Sequence, residues 1–151
     1  MLDLFHYVHI LSATVFVGSS VFFDWALGGA LMRAEPSERQ RLALAVRPFS
    51  GPLIMGSLAL TLLTGIGQLL VSGAIIELRD LLVGYGLLGT LALVVVVASE
   101  GVAGPLRRKM RAAIDAQDDG AFQRHARSHR LFNSVILLAV LTLMVAMRMG
   151  W

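Results

Sequence analysis

The chain has no cysteine. That excludes a disulfide scaffold, a thiolate zinc site, an iron–sulfur cluster and covalent c-type haem attachment. It is also poor in charge: Asp, Glu, Lys and Arg make up 15% of its 151 residues, against roughly 25% in an average soluble domain. Barrel-like polar–apolar alternation, repeats of solenoid length and low-complexity segments are all missing. The N-terminus lacks the basic start of a secretory signal and carries Asp3 instead. Its apolar run also outlasts a signal's hydrophobic region, so it reads as a first membrane span. What the chain has in excess is apolar surface. Hydrophobic residues are 56% of the total, above the roughly 45–50% of soluble domains, and the mean hydropathy is +0.73.

Four apolar segments stand out, at 4–32, 50–72, 81–104 and 131–147. Each can supply the ~20 helical residues that cross about 30 Å of hydrocarbon. Lipid offers the backbone no hydrogen bonds, so these segments are expected as helices. The expected architecture is an all-α, integral membrane four-helix bundle, one transmembrane domain over residues 1–151.

The net charge of +3 and pI near 10.2 would point to nucleic acid in a soluble protein. Here the basic residues instead report topology. Arg33, Arg39, Arg41 and Arg47 fall in the loop 33–49. Arg107, Arg108, Lys109, Arg111, Arg124, Arg127 and Arg130 fall in the loop 105–130, and only Arg79 and Arg148 lie opposite. The positive-inside rule puts both basic loops in the cytoplasm and both termini outside, in a bacterial-type inner membrane. The expected partners are the lipid bilayer and other membrane subunits or further copies of the chain, with no nucleic acid. Within the second loop the third span is expected to continue as helix to Ala116, stop at Asp118-Asp119-Gly120 and restart near Ala121.

Polar side chains in a span should turn towards the bundle interior. At about 100° per residue, His6, His9, Ala13, Phe16, Ser20 and Asp24 share an arc of roughly 80° on the first span. Ser57, Thr61, Thr64 and Gln68 share roughly 60° on the second. His125, His129, Asn133, Val140, Met144 and Met147 share about 100° on the fourth. The third span is poorer, with Tyr85, Ser99 and Glu100. Depth divides these residues in two. His6, His9, Gln68, Met144 and Met147 gather in the outer half; Asp24, Glu100, His125, His129, Arg130 and Asn133 gather at the inner side.

Imidazole and thioether are axial ligands of b-type haem and also ligands for copper. His6 and His9 lie on one helix and cannot serve both faces of one ring. His9 with Met144 or Met147 from the antiparallel fourth span can, and His9 alone would give a five-coordinate site. An outer copper relay of His6, His9, Met144, Met147 and Met149 is the alternative. At the inner side His125 and His129 are spaced i,i+4, one helix face apart. They would bind a metal only with a further ligand such as Asp24 or Glu100. The competing reading there is an ion-pair network of Asp24 and Glu100 with Arg127 and Arg130. A third reading of the whole chain is a cofactor-free accessory subunit of a larger membrane complex. The run Gly84-Tyr85-Gly86-Leu87-Leu88-Gly89 matches a dinucleotide fingerprint in form, but it follows no strand and opens a span. Its glycines are expected to let helices approach.

The stretch His9-Ile10-Leu11-Ser12-Ala13-Thr14-Val15-Phe16-Val17-Gly18-Ser19 resembles the first span of the CopD/HemJ-like membrane proteins, and Arg130-Leu131-Phe132-Asn133 resembles the start of their last span. The resemblance covers about fifteen residues. It implies a four-span fold with b-type haem held through the first-span histidine, here His9. The HemJ branch is associated with protoporphyrinogen oxidation and the CopD branch with copper resistance or uptake. Span three lacks a lysine, and Ser134 follows Asn133 where that pattern has an acid. Both departures argue against protoporphyrinogen oxidase activity and leave haem-linked electron transfer as the leading expectation.

Overall fold

The computed structural model describes residues 2–73 and 75–149, with no strand among them. Helix α1 (Leu2–Val21) runs through one π-helical turn (Phe22–Leu27) into α2 (Gly28–Arg33). Then follow α3 (Pro36–Val71), a 3₁₀ turn (Leu78–Leu82), α4 (Gly84–Asp115) and α5 (Asp119–Met149). Taken end to end, Leu2–Arg33, Pro36–Val71, Gly84–Asp115 and Asp119–Met149 are four helices long and apolar enough to cross a membrane. A helix of that length reaches about 48 Å, well past a hydrocarbon core of ~30 Å.

The helices overrun the expected spans. Most of 33–49 and 105–130 is helix, and only 34–35 and 116–118 break it. Arginine density marked 33–49 as a loop, but local chemistry makes most of it helical. In 105–130 the helix continues to Asp115 and restarts at Asp119, close to the expected break. Pro36 occupies the first turn of α3 with Glu38 beside it, where a missing N–H costs nothing and an acid meets the helix dipole. At the other turn Gln117 takes a left-handed φ of 53°. Asp118 N then bonds Ala113 O at 2.9 Å, closing α4. The Asp118 carboxylate accepts from Ala121 N at 2.9 Å and opens α5.

Burial is inverted relative to a water-soluble bundle. Leu4, Tyr7, Leu63, Leu131 and Leu138 are each more than 60% exposed, whereas Ser12, Ser20, Ser57, Thr64, Arg39 and His129 are buried. Lipid-facing helices carry their apolar side chains outward and pack through small and hydrogen-bonding residues. The arrangement is that of a multi-pass membrane protein.

α1 packs along α3 and α4 along α5, giving two hairpins that touch far less with each other. The α3–α4 connection needs Gly86, where a Cβ would stand 2.0 Å from the Asp80 carbonyl oxygen. Asp80 itself accepts from Ile76 N at 2.9 Å and Glu77 N at 2.8 Å. These donors hold its carboxyl below the ordinary carboxylate range.

The hairpins are joined mainly at the end that carries the basic residues. There Leu31, Ala113, Phe122 and Ala126 form a buried cluster from α2, α4 and α5. Arg39 of α3 closes it. Its side chain, 4% exposed, donates to Leu31 O at 2.7 Å and Ala34 O at 2.9 Å. It also pairs with Asp119 and lies 4.6 Å over the Phe122 ring. Arg39→Ala strips two carbonyls and a carboxylate of their donor, an expected loss of about 2–4 kcal/mol. Arg41→Ala, on the exposed side of the same helix, is expected to stay within about 0.5 kcal/mol. Thermal unfolding of the two variants in detergent checks the difference.

Candidate functional site

Between the hairpins lies a cleft of about 830 Å³, within the ~300–1,000 Å³ range of cofactor sites. Its walls are mostly apolar, and all four long helices contribute to them. Part of the polar stripes expected of the spans meets on it. His6 and His9 come from α1, Thr61 and Gln68 from α3, Tyr85, Ser99 and Glu100 from α4, and Asn133, Met144 and Met147 from α5. Met149 is 68% exposed and stands off the cleft.

His9 is the best-prepared side chain on this surface. Its Nδ1 lies 3.0 Å from the Thr61 carbonyl oxygen and 3.3 Å from Thr64 Oγ1. A carbonyl can only accept, so Nδ1 carries the hydrogen and Nε2 presents a lone pair. Metal-bound imidazoles are usually held in this way, the second nitrogen fixed on a backbone oxygen. The Thr61 hydroxyl donates to Ser57 O at 2.8 Å and meets Ser12 Oγ at 3.1 Å, and Ser12 donates to His9 O at 3.0 Å. The ring is therefore set by a local group of small residues, Ser12 on α1 and Ser57, Thr61 and Thr64 on α3. Gly65 makes room for it, because a Cβ there would stand 3.1 Å from His9 Cε1.

His6 is prepared differently. Gln68 donates through Nε2 to His6 Nδ1, which leaves the hydrogen of a neutral ring on Nε2. Neither nitrogen of His6 then offers a free lone pair.

The inner group separates into pieces. Asp24, carried by the π-turn, takes His129 Nδ1 at 3.2 Å on one carboxylate oxygen and the Asn133 amide on the other. Arg130 does not pair with that carboxylate: its Nε donates to the Asp24 backbone carbonyl at 3.1 Å, and its guanidinium lies 4.9 Å over the Trp25 ring. Glu100 pairs with Arg107, two turns along α4, and not with Arg127 or Arg130. His125 is half-buried and makes no hydrogen bond or ion pair among the described residues. His129 and His125 therefore share a helix face without sharing a site. No three His, Asp or Glu side chains converge as a metal site among the described residues.

Several functional contacts were not visible beforehand. The Thr61 carbonyl carries no side-chain signal. The π-turn that carries Asp24 leaves no mark in hydrophobic spacing. Gly65 and Gly67, close to the polar stripe of α3, were a readable sign of close approach: Cβ atoms at these positions would meet His9 and Phe5.

Gly65→Ala is expected to destabilise the protein by about 1–2 kcal/mol through the displaced His9 ring. In a His9→Ala background the same change is expected to stabilise by up to about 1 kcal/mol, since helix propensity then acts alone. A double-mutant cycle by thermal unfolding reads the change of sign. No family model, curated protein or solved structure matches the chain.

Proposed function

We propose that this chain is a b-type haem protein of a bacterial-type inner membrane, acting in electron transfer, with His9 Nε2 as the first axial ligand. The observation that carries the reading is the Thr61 carbonyl holding His9 Nδ1, which leaves the Nε2 lone pair on a histidine that borders an apolar cleft of cofactor size. Met144 and Met147 line the same cleft from α5, and either one would serve as a second ligand. When bound, the haem iron provides a one-electron couple. The chain provides ligand identity, a fixed ring orientation and walls that keep water out. The cleft has no Arg or Lys among its described lining residues, so haem propionates would remain in water and not in ion pairs. The basic end faces the cytoplasm and both termini face outward, as the positive-inside rule requires.

His9→Ala is expected to abolish the Soret band of purified protein, and His6→Ala to retain it. A His9→Ala protein with full haem overturns the assignment. Copper without haem on the same sample would support the relay of His6, His9, Met144, Met147 and Met149. Colourless, metal-free protein would support the accessory-subunit reading.

Topology has its own test, because the chain has no cysteine background. Glu77→Cys is expected to react with a membrane-impermeant maleimide on intact cells, and Gln40→Cys only after lysis. The reverse pattern would invert the orientation.

A further inference from the structure

His129 and Asp24 are not among the residues that line the cleft, and haem ligation by His9 makes no use of them. His129 is 6% exposed. With Nδ1 donating to the Asp24 carboxylate, the lone pair sits on Nε2. That atom is fully enclosed and has no hydrogen-bond partner. The second Asp24 oxygen is held by Asn133, and Asn133 also lines the cleft. One residue thus separates the cleft from the pair. Asp24 belongs to the π-turn Phe22–Leu27, a rare helical form that gathers at functional sites.

Several charged groups at this end of the bundle are engaged elsewhere. Arg39 of α3 is engaged by Asp119, and Glu100 and Arg107 of α4 by each other. Arg130 of α5 is turned to a carbonyl and to Trp25. The guanidinium of Arg33 on α2 points to the space beside Gly29, close to that of Arg130. Among the described residues, His129 is therefore the one side chain in contact with the Asp24 carboxylate that can gain positive charge. With His129 neutral, the Asp24 carboxylate, 14% exposed, has no cation in direct contact with it. A proton on Nε2 would supply one.

We propose that Asp24 and His129 form a proton-exchange site coupled to the cleft, in which Nε2 of His129 takes up a proton when an electron enters the cleft. The proposal rests on the haem reading for the place where that electron resides. One electron comes from a one-electron reductant and one proton from the aqueous phase at the basic end. Nε2–H is the only bond formed, and reoxidation returns both. Asn133 is a positioning residue, since it borders the cleft and orients the Asp24 carboxylate.

The test is a potentiometric titration of the haem-loaded full chain with dithionite, from about pH 5.5 to 8.5, across the imidazole range. The wild-type midpoint is expected to fall as pH rises. The limit is about 59 mV for each tenfold change in proton activity when one proton accompanies one electron. His129→Gln and Asp24→Asn are expected to flatten that dependence while keeping the Soret band. A pH-independent wild type, or a His129→Gln protein with the wild-type slope, overturns the coupling and leaves haem ligation by His9 standing. Colourless protein overturns the coupling together with the haem reading. ¹⁵N NMR of histidine-labelled protein keeps the site itself falsifiable with or without haem. The expected His129 ring is protonated at Nδ1 and gains its Nε2 proton on acidification. A neutral ring protonated at Nε2 overturns the assignment.

Discussion

Side chains that hydrogen-bond inside these four helices must find their partners on a neighbouring helix or on their own backbone, because the outward faces are apolar. This constraint orders the bundle. It explains why Ser12, Ser57, Thr64, His129 and Arg39 are buried while many leucines and valines face outward. It also explains why α1 lies along α3: Ser12, Ser57, Thr61 and His9 satisfy one another across that seam. At the basic end the same requirement binds the first helix to the fourth through Asp24, His129 and Asn133.

The polar ties are unevenly spread, and the cleft follows from that. They join α1 to α3 between residues 6–12 and 61–68, and they tie the two hairpins together mainly at the basic end. Arg39 completes that closure by uniting the end of α2, the start of α3 and the start of α5 around Phe122. Further along, apolar side chains with no hydrogen bonds to make line both hairpins, and a cofactor-sized space opens between them. A bundle with a uniform seam between its hairpins would have no such space. Closure at one end and separation along the rest are thus two results of one distribution of hydrogen-bonding groups.

Four histidines with the same side chain are given different chemistry by their neighbours. A carbonyl makes His9 a lone-pair donor at Nε2, and an amide makes His6 a hydrogen donor there. A carboxylate gives His129 a buried bare Nε2, while His125 has no such neighbour. The π-turn adds a local adjustment. It carries Asp24 to His129 and Trp25 to Arg130 and Ser134, where Trp25 Nε1 donates at 3.3 Å. Two adjacent residues of the first helix thereby reach the fourth together.

By itself the sequence determined the all-helical class, the four apolar helices and the segregation of basic residues to one end. Each of these follows from composition and length, which act locally and need no partner. Helical periodicity placed part of the polar stripes: Met144 and Met147 share a surface with His6, His9 and Gln68. Glu100 and Asn133, expected with the inner group, join it, whereas Ser20, Asp24, Ser57, Thr64, His125 and His129 do not line it. The helix start at Pro36 was carried by a short pattern that arginine density obscured, whereas the break at Asp118-Asp119-Gly120 was legible. Only tertiary structure decided the partners. Asp24 meets His129 and not Arg130, Glu100 meets its own helix, and Arg39 is a buried clamp and not only a topological charge. Pairing depends on which helices are adjacent, on their register and on a π-turn that shifts the phase of one of them. None of these is encoded in the spacing of residues along a single helix.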